Sequence, residues 1–179
     1  MTELSELGQV LHEEHFHIVM LFCDLENRVT GPGAGDPLDP SDAEDRQQLK
    51  QLIAGLDRVV GHNAFEENRL FPLLRQGATA EVTGLLAEEH HLIGPLALHL
   101  KALAVDLLES GADDERWQVF REVAARFTSA ILFHLQKEEM AIVQALGTLL
   151  DHEHDHTLAL QYLASRRGHA AGSGAEVRP

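Results

Sequence analysis

Apolar residues recur every three or four positions along nearly the whole chain, and this periodicity leaves little room for anything but helices. No segment alternates with period two, and no Asn-Gly or Asp-Gly turn joins two such segments, so strands are not expected. The spacing predicts a first helix from about Thr2 to Arg28. It ends before Thr30-Gly31-Pro32-Gly33-Ala34-Gly35-Asp36-Pro37, a run that cannot stay helical. A second helix is expected from the capping pattern Ser41-Asp42-Ala43-Glu44 to about Gly77. A third should run from Thr79 to near Gly111, a fourth from Asp113 or Asp114 to about Leu146, and a fifth from Thr148 to Ser165. Four long helices with mostly short connections predict an all-α, antiparallel up-down four-helix bundle with an additional C-terminal helix. Residues 1–165 would form this single unit, and 166–179, polar and rich in Gly and Ala, read as a disordered tail.

The apolar stripes are interrupted in a regular way. In the first helix the stripe is Leu4, Leu11, His15, Ile18, Phe22 and Leu25. In the second it is Leu52, Leu56, Val59, His62, Glu66, Leu70 and Leu73. In the third it is Leu86, His90, Ile93, Ala97 and Leu100. In the fourth it is Phe120, Phe127, Ile131, His134, Glu138 and Ile142. Each stripe should face the core, so each carries imidazole or carboxylate groups into it. The phrases also repeat. Leu11-His12-Glu13-Glu14-His15 returns as Leu86-Ala87-Glu88-Glu89-His90, and His62-x-x-x-Glu66-Glu67 returns as His134-x-x-x-Glu138-Glu139. The first two helices thus resemble the next two, and a pseudo-twofold packing would turn the matching groups toward one centre.

A lone core histidine is usually hydrogen-bonded to other protein groups, and a lone His-x-x-x-Glu is a common accident. Six such residues in two matching halves are another matter. A buried, unpaired carboxylate costs several kcal/mol, and a cation among His15, His62, Glu66, His90, His134 and Glu138 removes that cost. Imidazole with carboxylate suits iron, manganese or zinc. With one cysteine in the chain, Cys23, neither a cysteine zinc site nor an iron–sulfur cluster fits.

At these residues the chain resembles the hemerythrin-like family, also called the HHE cation-binding domain. The order of motifs carries the resemblance: Glu14-His15, then His62-x-x-x-Glu66 with Leu70-Phe71-Pro72, then Glu89-His90, then His134-x-x-x-Glu138-Glu139. The resemblance implies a four-helix bundle holding two iron ions, oxo- or hydroxo-bridged. Its ligands would be His15, His62, Glu66, His90, His134 and Glu138, with the two glutamates as bridges. It also implies a small-molecule ligand such as dioxygen, peroxide or nitric oxide. Three positions depart from the oxygen-carrying members. Gly94 stands where they have a second third-helix histidine. Glu138 and Glu139 replace their His-x-x-x-x-Asp. Ile142-Val143-Gln144 stands where the first half has Leu-Phe-Pro. Six ligands leave more open positions than seven, which favours peroxide turnover or iron oxidation over reversible oxygen carriage.

Other residues carry narrower expectations. Pro95, one turn after His90, should kink the third helix. His152, His154 and His156 read as a solvated face, although a bundle of helices two to five with His154 replacing His15 is conceivable. A ferritin-like site would instead use Glu14-x-x-His17, Glu88-x-x-His91 or Glu153-x-x-His156 with Glu66 and Glu138. Glu67 and Glu139 read either as acceptors behind the ligating groups or as exposed charges, with exposure preferred; Cys23 reads as buried and inert, and Trp117, Phe120 and Phe127 as core.

Charge bounds the partners. A formal net charge of −15 repels phosphate backbones and anionic membranes, so neither nucleic acid nor membrane is expected. No signal peptide and no apolar run of the roughly 18 residues of a span is evident, and a cytoplasmic protein is the expectation. A di-iron protein reacting with small oxidants is the first functional reading. Iron or oxygen sensing, or iron storage without turnover, is the second.

Overall fold

A computed structural model describes residues 4–75 and 79–172. No strand occurs among the described residues. The main helices are α1 (Glu6–Thr30), α2 (Ala43–Phe65), α4 (Thr79–Ser110), α5 (Asp114–Ala141) and α7 (His152–Gly172). Two single-turn pieces lie between them, α3 (Phe71–Leu74) and α6 (Leu146–Leu149). The first and second expected helix boundaries at Thr2 and Gly77 lie outside the described residues. So do 173–179 of the expected tail, while α7 itself runs past Ser165 to Gly172.

Local chemistry sets the helix ends. Ser5 caps α1 by accepting from the Gly8 amide, and Asp113 caps α5 by accepting from the Arg116 amide. The cap of α2 is Asp42 rather than Ser41; its carboxylate accepts from the amides of Glu44 and Asp45. Gly111, at φ 77°, follows α4 in the left-handed conformation that favours glycine and stops helices. The segment between α1 and α2 is tied down by Trp117, whose Nε1 donates to the Ala34 carbonyl at 2.9 Å.

Two expected helices are interrupted. Helix two becomes a π turn at Glu66–Leu70, with the Phe71 amide reaching back to the Glu66 carbonyl. Pro72 supplies the reason. It has no N–H for the Asn68 carbonyl and its ring would crowd that group, and a wider turn relieves both problems. Helix four stops at Ala141, passes through a 3₁₀ turn at Val143–Ala145 and resumes as α6, short of the single helix expected to Leu146. By contrast α4 runs through Pro95 as one continuous helix.

α2 lies against α4, α4 against α5, and α5 against α1, while α7 packs on α1. Two apolar clusters fill the bundle. One contains Ile18, Phe22, Leu56, Val59, Ile93, Phe127 and Ile131. The other contains Leu7, Leu11, Phe65, Leu70, Phe71, Leu86, Ile142 and Tyr162. Chain order links them: α1 and α4 pass from the second cluster to the first, and α2 and α5 pass back. Each helix crosses between clusters at its histidine. Of the expected core stripes, Leu73 departs, being 40% exposed, and Cys23 is half-buried rather than buried. Trp117, Phe120 and Phe127 are buried as expected.

By length and composition α4 is long and apolar enough to cross a membrane, unlike the absence of such a run expected from the sequence. In this fold its Leu86, His90, Ile93, Ala97 and Leu100 face is buried in the bundle, between α2 and α5.

Candidate metal centre

Between the two apolar clusters lies a single polar layer. His15 comes from α1, His62 from α2, Glu66 from the first position of the π turn, His90 from α4, and His134 and Glu138 from α5. All six are buried, and both glutamates are 0% exposed. The helical four-residue spacing aims His62 and Glu66 at one point, and likewise His134 and Glu138.

All four imidazoles turn Nε2 inward. His15 Nε2 and His62 Nε2 are 3.2 Å apart, and His90 Nε2 and His134 Nε2 are 3.0 Å apart. The carboxylates lie between these pairs. Glu66 places Oε1 3.2 Å from His62 Nε2 and Oε2 3.5 Å from His90 Nε2. Glu138 Oε2 is 3.6 Å from His15 Nε2, 3.7 Å from His62 Nε2 and 3.5 Å from His134 Nε2. Two donor groups result, each within a 4.8 Å span. One is His15, His62, Glu66 and Glu138; the other is Glu66, His90 and His134.

Among the described residues, all four carboxylate oxygens of Glu66 and Glu138 are buried with no hydrogen-bond partner. Buried carboxylates are otherwise satisfied almost without exception. The two facing Nε2 pairs make the same point, since two neutral imidazole lone pairs cannot satisfy one another. Lone pairs converge here with too few protons to share among them, which is the donor set of a cation site. The His/Glu cluster in a helical bundle thus marks a metal-binding site.

The outer nitrogens are engaged too. His15 Nδ1 lies 3.2 Å from Glu139 Oε2, His90 Nδ1 3.0 Å from Glu67 Oε1, and His134 Nδ1 2.9 Å from Glu89 Oε2. His62 Nδ1 differs, lying 3.1 Å from the Tyr162 hydroxyl on α7. Partners on the outer nitrogen fix an imidazole's tautomer and orientation. Glu67 and Glu139 are therefore half-buried acceptors behind the imidazoles, the other of their two sequence readings rather than the preferred exposed one. The repeat offered the signal: each follows an inward glutamate in both halves. Tyr162 gave no such signal, because nothing in the repeat reaches α7.

Electrostatics follow from burial. Glu66 is pushed well above the usual carboxylate range by burial and by the neighbouring Glu138 charge. Burial also opposes ionisation of Glu138, but Glu66, His134 and His62 outweigh it and hold that carboxyl low. Burial and the nearby His134 lower His90 to about 3. Burial and His15 lower His62. Burial works against a charged His134, yet Glu138 and Glu89 raise its value overall.

The competing arrangements fail on position. Glu14 is buried but turned away from the centre. Arg58 holds both its oxygens, and Arg166 Nη1 reaches Oε2 at 2.9 Å. His17, His91 and His156 are exposed, as are Glu88 and Glu153, so the ferritin-like set does not assemble. His154 is exposed beside Asp151 at 2.7 Å and does not replace His15. His152 and His156 are likewise exposed, as a solvated face should be.

No curated protein and no solved structure matches the chain. A family model does, the hemerythrin HHE cation binding domain, over residues 7–146, a span that holds all six inward side chains. The chain belongs to the hemerythrin HHE cation-binding family.

Proposed function

We propose that His15, His62, Glu66, His90, His134 and Glu138 hold two iron ions, and that this centre binds or reacts with dioxygen, peroxide or nitric oxide. The four orphaned oxygens of Glu66 and Glu138 carry the reading. Each glutamate faces both histidine pairs, so each suits a bridging role, with His15 and His62 serving one cation and His90 and His134 the other. The passage of successive helices between the two apolar clusters supports an antiparallel up-and-down order. Bound iron would supply the redox chemistry.

The protein's own groups do the rest. Glu139, Glu67 and Glu89 hold His15, His90 and His134 with Nε2 inward. The apolar layers above and below exclude bulk water, which strengthens each charge contact between them. Burial and the Glu138 charge oppose ionisation of Glu66, and a cation between the two carboxylates would offset both. Gly94 sits one turn from His90, and a side chain there would meet nothing within 4 Å.

Metal analysis with an optical spectrum tests this. About two irons per chain and near-ultraviolet charge-transfer absorption are expected for a two-cation site of this donor set. His62→Ala and Glu138→Ala should lose both. Iron content equal to wild type in those two variants would sink the assignment. Turnover of added peroxide by the loaded protein separates an enzyme from a sensing or storage module, for which metal binding would proceed without turnover.

A further inference from the structure

The four inward imidazoles are alike except at one outer nitrogen. Three of them meet a glutamate whose side chain is a quarter to a third exposed: Glu139 at 24%, Glu67 at 33% and Glu89 at 28%. These carboxylates accept a proton strongly and link their imidazoles to solvent. His62 instead meets a phenol that is 2% exposed. Tyr162 packs edge-on to Phe65 at 4.8 Å and to His62 at 6.0 Å, so its ring also closes that side of the layer. It comes from α7, which lies beyond the family-matched residues 7–146.

α7 is anchored where this contact needs it. Arg166, one turn after Tyr162, reaches Glu14 beside His15. At the other end Asp155 accepts from Ser5 Oγ at 2.7 Å and from the Glu6 amide at 2.9 Å, seating α7 on the start of α1. Leu158 and Ala159 fill the space between these anchors.

We propose that Tyr162 is a positioning residue for His62: its hydroxyl oxygen accepts from the protonated Nδ1, which leaves Nε2 as a free lone pair for the cation. A phenol is a weaker acceptor than a carboxylate, so His62 is the least electron-rich of the four imidazoles. The two cation positions are therefore chemically distinct although the repeat makes them look equivalent. The proposal rests on the metal reading of the site.

The test is nitrogen NMR of the zinc-loaded full chain with ¹⁵N-labelled histidine, which reports which ring nitrogen carries the proton. In wild type His62 should be protonated at Nδ1 and zinc-bound at Nε2. Tyr162→Phe should shift or broaden the His62 signals and leave those of His90 and His134 in place. It should also weaken one of two zinc equivalents about tenfold. Arg166→Ala, which loosens α7 but keeps the hydroxyl, should leave His62 protonated at Nδ1. His62 signals unmoved in a folded Tyr162→Phe protein would overturn the proposal, as would an Arg166→Ala effect of equal size. Should Tyr162→Phe fail to fold, wild type still decides: a proton on Nε2 of His62 overturns the idea. A folded wild type that takes up no zinc overturns the metal reading beneath it, a distinct result from zinc uptake with His62 unaffected.

Discussion

Glu14 shows how one buried charge can join three helices. Its carboxylate sits at 0% exposure between Arg58 of α2 and Arg166 of α7. Burial opposes its ionisation, but the two guanidiniums outweigh that and hold its pKa below the ordinary 4.5. A depressed carboxylate contributes stability that is fully present above its unfolded value and is lost as the pH falls through the folded one. Glu14→Gln should therefore cost about 2 kcal/mol at neutral pH, the scale of hydrogen bonds to a charged group. The difference from wild type should shrink as the pH drops below 4.5. Thermal melts of both proteins across that range check it; a gap that widens in acid would contradict the sign. From the sequence, Glu14 is a ligand only in the ferritin-like alternative, whereas Glu66 lies on the core stripe. The approach of Arg58 and Arg166 gives Glu14 its different role.

Among the elements, the π turn does the most to place Glu66. The π turn begins at Glu66, and the second half of the repeat has no counterpart, since α5 stays regular through Glu138 to Ala141. The cause is local to the sequence: Pro72 stands just after the π turn, and the second half has no proline at the matching place. The α1–α2 contact depends on Gly55. A Cβ built there would lie 2.1 Å from Leu21 Cδ2, the free end of a flexible side chain. Gly55→Ala should be close to neutral. The helical gain of about 0.5–1 kcal/mol over glycine is set against moving Leu21. Gly55→Leu cannot be absorbed that way and should cost about 1–3 kcal/mol by overpacking. Denaturant melts of the two variants measure the contrast, and equal stabilities would show that the helices separate freely.

Across the whole molecule, the polar layer divides one bundle core into two apolar halves. Without cations that layer destabilises the fold, because burial and the Glu138 charge oppose ionisation of Glu66 and the carboxylate oxygens lack partners. A cation that binds only the folded chain stabilises it by mass action, about 2.7 kcal/mol per site at a hundredfold excess over Kd. Loading with iron(II) or zinc should thus raise the melting temperature, and a chelator should reverse the rise. A melting point indifferent to metal would argue against a site in the core.

Periodicity, the two-half repeat and the four interrupted stripes determined the helices, the bundle and the six inward residues, because a four-residue spacing fixes which side chains share a helix face whatever packs against it. They could not determine what stands behind each imidazole. That depends on groups from helices distant in the chain: Glu139 behind His15, Glu67 behind His90, and Tyr162, a hundred residues on, behind His62. Such pairings leave no period in the sequence, since they are set by how helices cross in space, and only the folded bundle decides them.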